Sequence, residues 1–501
     1  MSRNGQEQSA GAEKLKIALV ASEVAPFAKT GGLADVSAAL AAALHDAGDD
    51  VRLFLPFYGK IERSGRGFRR VPGTENKALR LGGHELHYSL WTAPLPGSTL
   101  EVYFVDCPAL FQRQAIYCSD GDEHLRFAGL TRAAIECCQA FSFSPDIFHF
   151  NDWHTALGPL YLQTIYAWDT LFRRTRTVLT LHNLGYQGVF PAQTIEELDL
   201  ADSRHLLHQE RLQAGALNFL ETGLIYADVL TTVSHTYSRE IQTPEFGFGL
   251  HDLLRKRSDH LVGIVNGIDD HEWNPQIDPL IPYHYSKDDL GGKKQNKVHL
   301  LRELNLDEAP DAPVFGLVSR FTEQKGLDLA MEALPALLDS RDLRLAILGS
   351  GEERYERFFA HLQQRYPGRV CFYRGYSEEL AHLIEAGSDI FVMPSRYEPC
   401  GLNQMYSLRY GTIPVVRRTG GLADTVQRFD PGHVDASRRG TGFVFEEYSG
   451  RALAAELFSA ERVYHEHETW LGLMQRAMAQ DFSWKRQVQH YRRLYRKLSA
   501  E

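Results

Sequence analysis

The residues best suited to chemistry surround Glu398, in the segment Glu398-Pro399-Cys400-Gly401-Leu402. The apolar run 389–393 before it is typical of a buried parallel strand, and 402–410 after it has a helical pattern. Cys400, Gly401 and Leu402 therefore precede or begin a helix, where unpaired backbone N–H groups bind anions such as phosphate. A carboxylate among such donors is interpreted as a hydroxyl-binding group beside a phosphate site.

A second helix start has the same character and occurs twice. Thr419-Gly420-Gly421-Leu422-Ala423-Asp424 repeats the segment from Thr30 to Asp35, and each copy follows a predicted strand and begins a predicted helix. The glycine pairs could merely allow tight turns. The favoured interpretation is two related α/β halves, each directing a glycine-led helix start, Gly31-Gly32 or Gly420-Gly421, into one shared cleft.

Arg320 and Lys325 follow the predicted strand 314–319. Guanidinium and ammonium groups bind phosphate oxygens through charge-assisted hydrogen bonds. Either could instead pair with a surface carboxylate. Their joint position after one strand, beside two helix starts suited to anions, favours phosphate binding.

Other polar residues also follow predicted strands, and in open α/β sheets ligands bind beyond the carboxyl ends of the strands. They are Asp152, His182, Asn266 and Tyr376. Each has an ordinary alternative: a helix cap for Asp152, a hydrogen-bonded core histidine for His182, packing for Tyr376, and likewise an inert buried thiol for Cys400. Their clustering at one edge of both halves favours a ligand site.

The elements that must position these residues alternate between strand and helix along almost the whole chain. This alternation indicates parallel sheets with helices on both faces. Predicted strands in the first half are 16–20, 51–55, 101–105, 146–150, 177–181, 229–233 and 262–265, and in the second half 314–319, 343–348, 370–374, 389–393, 412–416 and 442–445.

The predicted organisation is an N-terminal domain at 1–265, a C-terminal domain at 266–480 and a C-terminal helix at 481–501. The segment 266–297, with three prolines and Gly291-Gly292, breaks the alternation and is interpreted as a hinge and linker. The last helix is expected to pack back on the N-terminal domain. Its predicted apolar face consists of Trp484, Val488, Tyr491, Tyr495 and Leu498.

The composition excludes several classes of protein. The chain has 501 residues, of which 44% are hydrophobic and 24% charged, as in a globular protein of two or three domains. A formal net charge of −10 disfavours general binding to nucleic acid or an anionic membrane. Residues 1–14 are polar, no run is apolar enough to span a bilayer, and the six cysteines lack CxxC spacing. We therefore expect a cytoplasmic protein with reduced thiols.

Sequence patterns for cofactors and metals are weak. Gly349-Ser350-Gly351 follows a strand, but Arg354 stands where a dinucleotide fingerprint needs its third glycine. Asp120-Gly121-Asp122 follows no strong strand, and the acidic and histidine run 465–468 lacks HExxH spacing. We predict no cofactor and no metal at the site.

The motifs together identify a family. The segment from Lys29 to Val36 resembles the N-terminal KxGGLxDV signature of bacterial glycogen synthases and plant starch synthases. Further matches cover nearly the whole chain in order: Asn151-Asp152-Trp153-His154, His182-Asn183-Leu184, Asn266-Gly267-Ile268-Asp269, Ser319-Arg320, Gln324-Lys325-Gly326 and the EPCGL run from Glu398. A mild departure is Asn403-Gln404-Met405-Tyr406-Ser407, where the family often has Thr-Gln-Leu-Tyr-Gly.

The resemblance implies two Rossmann-like domains facing a central cleft (the GT-B fold) and a retaining glycosyltransferase. Such enzymes move glucose from ADP-glucose or UDP-glucose to the non-reducing end of an α-1,4-glucan such as glycogen, and bacterial members commonly use ADP-glucose. The implied catalytic residues are Arg320, Lys325, Glu398, His182 and Asp152. The implied donor-binding residues are Lys29, Gly31, Gly32, Asn266, Tyr376, Cys400, Gly401, Leu402, Thr419, Gly420 and Gly421.

The implied mechanism is electrostatic. Arg320 and Lys325 would neutralise the departing diphosphate, Tyr376 would stack on the nucleobase, and Glu398 would bind glucose hydroxyls. No residue is an obvious nucleophile under the sugar ring, so a front-face reaction is favoured over double displacement. The sequence leaves open the donor nucleotide, the oligomeric state, allosteric control and the preferred glucan length.

Overall fold

The structure is a computed structural model that describes residues 14–63, 67–433 and 438–500. The predicted polar N-terminal segment lies, except for Lys14, outside the described residues. The chain divides into two compact units. The first comprises Met1–Leu181, Gly185–Leu230 and Val488–Glu501, and the second comprises His182–Leu184 and Thr231–Gln487. These units differ from the predicted domains, whose boundaries were placed at residues 265 and 480. The units are defined by packing, whereas the predicted boundaries follow the order of the strands, so the boundaries stay a prediction.

The first twelve strands include a large mixed sheet. In chain order they are β1 (Lys16–Val20), β2 (Asp50–Pro56), β3 (Arg69–Arg70), β4 (Lys77–Leu81), β5 (His84–Pro94), β6 (Glu101–Asp106), β7 (Ile147–Asn151), β8 (Arg176–Leu181), β9 (Val189–Pro191), β10 (Ala216–Asn218), β11 (Val229–Thr232) and β12 (Leu261–Gly263). Ten of them form a sheet in the order β12-β11-β8-β7-β1-β2-β6-β5-β3, with β4 on β5. β9 pairs with β10 separately.

The middle of this sheet is parallel and buried. β1 pairs in parallel with β2 and with β7, while β5 runs antiparallel to β6, β3 and β4. Residues Ile17–Val20 are fully buried, which explains why β1 is continuously apolar. The chain proceeds outward from β1 through β2 on one side and through β7 on the other. The strand order therefore reverses between β1 and β7.

The second sheet has six strands, all parallel. They are β13 (Val314–Phe321), β14 (Arg344–Gly351), β15 (Val370–Arg374), β16 (Ile390–Met393), β17 (Ile413–Arg417) and β18 (Phe443–Phe445). Their order is β15-β14-β13-β16-β17-β18, which is the Rossmann order with its reversal between β13 and β16. The prediction of α/β architecture with parallel sheets is confirmed.

Helices connect these strands. In the first unit and at the C-terminus they span Gly32–Asp46, Pro108–Phe111, Glu123–Ala140, Asp152–Thr155, Gly158–Gln163, Thr194–Glu197, Gln209–Gln213, Phe219–Tyr226 and Trp484–Ala500, with 3₁₀ turns at Thr170–Phe172 and Arg204–Leu206. In the second unit they span His235–Glu240, His251–Lys256, Gly291–Glu303, Leu327–Ser340, Glu353–Arg365, Glu378–Gly387, Asn403–Tyr410, Gly420–Thr425, Gly450–Tyr464 and His467–Met478, with 3₁₀ turns at Ser258–His260 and Glu323–Lys325. Among the described residues, no helix is both long and apolar enough to cross a membrane.

The predicted linker is largely part of a folded unit. Trp273, Ile281 and Tyr285 are buried in the hydrophobic core of the second unit, and the helix Gly291–Glu303 begins inside the segment. The prolines do prevent regular structure before that helix, but the apolar residues between them still pack. The segment 266–297 is therefore folded into the second unit rather than a separate linker, and the hinge stays a prediction.

The C-terminal helix buries one face. Its five predicted apolar positions are all buried, which confirms that part of the prediction. Residues from Val488 onward group with the first unit, where Arg492 forms an ion pair of 2.9 Å with the buried carboxylate of Asp49. The hydroxyl of Tyr495 hydrogen-bonds Nδ1 of His149 at 2.7 Å.

Candidate functional site

The second unit has its topological switch point between β13 and β16. The two loops that leave these strands, 322–326 and 394–402, are joined by a hydrogen bond of 2.9 Å from the Arg396 N–H to the Gln324 carbonyl. Gly326 has a φ of +64°, and a Cβ there would lie 2.0 Å from the Pro394 carbonyl oxygen. Only glycine allows this approach. Open α/β folds bind ligands at this position in the sheet.

Lys325 and Glu398 meet at this switch point. Nζ of Lys325 lies 2.7 Å from Oε2 of Glu398, and the Ser395 hydroxyl donates to the same oxygen at 2.9 Å. The Glu398 side chain is buried, whereas Lys325 keeps 19% of its side chain exposed. The predicted surface pairing of Lys325 is thus replaced by a pair with another predicted site residue. A buried carboxylate and an adjacent ammonium can bind hydroxyls and phosphate oxygens respectively.

Arg320 lies near the carboxyl end of β13 and is exposed. Within the described part of the chain, its guanidinium forms no hydrogen bond or ion pair. Its alternative role in a surface ion pair therefore does not apply to this structure. An unengaged guanidinium on the same strand end is available for an anionic ligand.

The turn from Cys400 to Leu402 is tightly built. Gly401 has a φ of +71°, and Nε2 of Gln404 donates to the carbonyls of Cys400 at 3.0 Å and Gly401 at 3.1 Å. Burial raises the pKa of the Cys400 thiol to about 12, so this thiol is protonated and unreactive. The backbone N–H of Asn266 faces that thiol. The Asn266 side chain is buried, and its Oδ1 has no hydrogen-bond partner in the described structure. This oxygen can therefore accept a hydrogen bond from a ligand.

The second TGGLAD copy is pressed against the same turn. A Cβ on Gly420 would lie 1.9 Å from the Glu398 carbonyl oxygen, and one on Gly421 would lie 2.0 Å from that of Cys400. The Gly421 N–H donates to the Glu398 carbonyl at 3.0 Å. The second glycine pair is therefore required by close packing, a reason that the sequence interpretation, which weighed tight turns against a ligand site, did not include.

The donors at this helix start are already engaged. The Glu240 carboxylate accepts from the Thr419 hydroxyl at 3.0 Å and from the Gly420 N–H at 3.1 Å. Burial raises the pKa of Glu240, against the opposing effect of these two donors. Phosphate binding by Thr419 and Gly420 stays a prediction, and it would require this carboxylate to move.

The first unit has a similar arrangement after β1. The buried Glu23 carboxylate accepts from the Thr30 N–H, from the Thr30 hydroxyl at 2.6 Å, from the Gly31 N–H at 3.2 Å and from the Tyr117 hydroxyl. A Cβ at Gly31 would have no atom within 4 Å, so space beside this helix start is open. Nζ of Lys29, which precedes the helix, lies 2.7 Å from Oδ1 of Asp35, which belongs to it. Gly32 is the first residue of that helix.

Asp152 occupies a strained position after β7. Its φ is +53°, in the left-handed region that costs a non-glycine residue about 1 kcal/mol or more. Asn151 occupies the N-cap position of the helix Asp152–Thr155 and makes no side-chain cap, so Asp152 is the first helical residue and its capping alternative stays a prediction. Strained backbone concentrates at functional sites, and Asp152 lies at the switch point between β1 and β7.

His182 and Tyr376 also follow strands, β8 and β15. Desolvation lowers the pKa of His182 to about 3, so its imidazole is neutral at physiological pH. Its neighbour Asn183 lies 3.4 Å, Nδ2 to Oε1, from Gln324 in the loop that carries Lys325. The Tyr376 side chain is 67% exposed, as a ring that receives a planar ligand would be.

The structure thus brings Lys325, Glu398, Cys400, Asn266 and the second glycine pair together around one turn. Sequence reasoning missed Glu240, Glu23 and Tyr117 as partners of the site. Glu23 follows β1, so the rule of polar residues after strands could have found it. Glu240 ends a short helix far from Thr419 in sequence, and no local pattern indicates their contact.

Two protein-family models match this chain, one in its N-terminal half and one in its C-terminal half. Residues 16–256 match the family described as starch synthase catalytic domain, and residues 304–469 match glycosyl transferases group 1. The chain is 47% identical over 491 residues to a glycogen synthase of Anaeromyxobacter dehalogenans, covering 97% of this chain and 99% of that protein. It is 44% identical over 493 residues to a glycogen synthase of Myxococcus xanthus, covering 97% of this chain and all of that protein.

Two solved structures are similar over nearly the whole chain. The catalytic domain of starch synthase IV from Arabidopsis thaliana, bound to ADP and acarbose, has a TM-score of 0.90 and 33% identity over 98% of this chain and 100% of its own. Sucrose-phosphate synthase from Thermosynechococcus elongatus has a TM-score of 0.59 and 18% identity over 97% of this chain and 100% of its own, a likeness of fold alone.

Proposed function

The chain belongs to the glycogen synthase and starch synthase family of GT-B glycosyltransferases, and we propose that it transfers glucose from ADP-glucose to the non-reducing end of an α-1,4-glucan with retention of configuration. The observation that carries the proposal is the Lys325–Glu398 pair at a Rossmann switch point, with the exposed Arg320 on the same strand end. This set supports the proposal, because the two cations suit a diphosphate and the carboxylate can accept hydrogen bonds from sugar hydroxyls.

The difficult step is the loss of a nucleoside diphosphate while positive charge develops on the sugar. Arg320 and Lys325 stabilise the departing diphosphate. Lys325 has three N–H donors and directs one to Glu398, so it can bind a phosphate oxygen without leaving that carboxylate. Glu398 accepts hydrogen bonds from hydroxyls of the glucose ring, and Oδ1 of Asn266, which has no partner among the described residues, accepts one from a further hydroxyl.

The remaining site residues complete the proposal. Asp152 and the neutral His182 bind the sugar, because a neutral imidazole both donates and accepts a hydrogen bond. Lys29 and the open Gly31–Gly32 helix start reach the donor diphosphate, and Tyr376 stacks on the base. The departing phosphate deprotonates the acceptor hydroxyl on the front face, and a trapped covalent glucosyl-enzyme would contradict this step.

ADP-glucose is proposed as the donor on two grounds. The Arabidopsis starch synthase, 33% identical, was solved with ADP, and bacterial members of the family commonly use ADP-glucose. The test supplies radiolabelled ADP-glucose or UDP-glucose with glycogen primer and measures label in precipitated polymer. We expect at least about tenfold higher kcat/KM with ADP-glucose, a difference of ~1.4 kcal/mol in transition-state binding.

The control is the Arg320→Ala variant purified identically. Its activity sets an upper limit on the contribution of any contaminating host synthase. Label incorporated preferentially from UDP-glucose would overturn the donor assignment alone. Polymer left unlabelled by both donors, with label in small soluble products, would overturn the acceptor assignment.

A further inference from the structure

A histidine and two carboxylates converge in the second unit outside the transfer site. One ring nitrogen of His382 and one carboxylate oxygen each of Glu272 and Glu378 lie within 4.8 Å of one another. Glu378 and His382 are four residues apart on the helix Glu378–Gly387, so they share one helical face. Glu272 comes from the proline-rich segment before β13. Both glutamates are exposed, so the cluster lies where a buried ring meets solvent.

The orientation of His382 is fixed from its other side. Nδ1 lies 2.8 Å from the carboxylate of Asp278, which is fully buried and also accepts from the Tyr410 hydroxyl at 2.6 Å. The indole of Trp273 stacks on the imidazole with ring centroids 3.7 Å apart. These contacts hold the imidazole ring in one orientation.

The second nitrogen of this ring has no protein partner. His382 is fully buried, and Nε2 forms no hydrogen bond with any described residue. Because Nδ1 is engaged with Asp278, Nε2 is the ring nitrogen left for a ligand. Buried polar atoms without a partner are rare in folded proteins, so this nitrogen needs an explanation such as a bound ligand.

We propose that His382, Glu272 and Glu378 bind a divalent transition-metal ion, with Zn²⁺ as the best match. One imidazole nitrogen and two carboxylate oxygens form a three-ligand zinc set, with a fourth position for water. The Asp278–His382 hydrogen bond is the outer partner that metal-bound histidines ordinarily have. Mg²⁺ and Ca²⁺ prefer oxygen ligands alone and fit less well.

The ion would link two pieces of the second unit. One is the segment with Glu272, and the other is the helix that begins two residues after Tyr376. Zinc bonds of about 2.0–2.2 Å bring ligand atoms closer together than the three ligand atoms lie here, so the exposed glutamate side chains would move on binding. The site is therefore structural and independent of the proposed transfer reaction.

The test titrates Zn²⁺ into the full-length, tag-free chain after removal of bound metal with EDTA, and follows binding by calorimetry. We expect one site that is weakened at least about tenfold by Glu378→Gln and by Glu272→Gln. Glu379→Gln is the matched control, because Glu379 is the exposed neighbour in the same helical turn. It should bind as the unaltered chain does.

Two further measurements protect the interpretation from other sites. All six cysteines are present in every variant, so only a difference in Zn²⁺ binding between the variants is assigned to this cluster. Saturating Zn²⁺ should raise Tm by about 3 °C or more in the unaltered chain and in Glu379→Gln, but not in Glu378→Gln. Equal Zn²⁺ affinity in Glu378→Gln, Glu272→Gln and the unaltered chain would overturn the proposal, as would equal affinity for Mg²⁺.

Discussion

Removal of Lys325 should damage stability and catalysis for separable reasons. The Lys325→Ala substitution leaves Glu398 with the Ser395 hydroxyl as its remaining side-chain donor. At 2.7 Å and an effective dielectric constant of about 20, the attraction between the two charges is about 6 kcal/mol, most of it offset by desolvation. Stranding a buried carboxylate costs about 3–5 kcal/mol, and the partial exposure of Lys325 favours the lower end, about 3 kcal/mol.

The neutral isostere separates the two effects. Glu398→Gln keeps an acceptor for Ser395 and leaves a cation that can turn toward solvent, so its expected cost is only about 1 kcal/mol. In the Lys325→Ala/Glu398→Gln double variant no carboxylate is stranded. The double variant should therefore regain about 2 kcal/mol relative to Lys325→Ala. Catalysis should not recover, because each lost electrostatic group costs at least about a hundredfold in kcat.

Urea unfolding followed by circular dichroism gives the free energies, and incorporation of labelled glucose into glycogen gives kcat. Lys294→Ala, which removes an exposed lysine of the same unit, should leave both unchanged. The reasoning fails if Lys325→Ala unfolds at the same urea concentration as the unaltered chain. Near-normal turnover in Lys325→Ala would separately remove its role toward the leaving group.

Two other substitutions test single groups. Arg320→Ala should lower kcat at least about a hundredfold with no loss of stability, because its exposed guanidinium has no partner among the described residues; unaltered turnover would exclude it from the site. Burial raises the pKa of Glu385 from 4.5 to about 8, so the folded state holds a proton that the unfolded state has lost. The stability of the unaltered chain should thus fall relative to Glu385→Gln as pH rises from about 4.5 to about 8, by up to ~1.4 kcal/mol per pH unit in urea unfolding, and a constant difference would contradict the protonated state.

The parallel strands were predictable because burial on both faces leaves an unbroken apolar run. β1 and β15 were predicted at their observed limits, and the other predicted strands overlap observed ones. The antiparallel ribbon β3–β5 was not predicted. β4 reads KALRL with only alternate positions buried, and β5 is mostly polar at its start, so neither has a continuous apolar run. Strands with one solvated face require a search for alternation instead.

The site was predictable where it depends on strand ends and unpredictable where it depends on packing. The rule that ligands bind beyond carboxyl strand ends selected Lys325 and Glu398 from different loops, and the structure places their charged atoms in contact. The same rule could not show that they pair with each other. Nor could it show that Glu240 binds the helix start at Thr419, since that contact joins elements distant in sequence.

The two TGGLAD segments show how a repeated phrase can indicate chemistry without indicating position. The first begins a helix after β1, the first strand of its sheet, while the second begins one after β17, the fifth strand of its Rossmann order. They are therefore not equivalent positions of a duplicated half, and the kinship of the halves rests on strand order. Yet in both copies a threonine hydroxyl and a glycine N–H hold a glutamate carboxylate, Glu23 or Glu240. Each helix start thus holds a carboxylate of the protein itself, but a Cβ at Gly31 would meet no atom within 4 Å, whereas one at Gly420 would lie 1.9 Å from a backbone carbonyl oxygen.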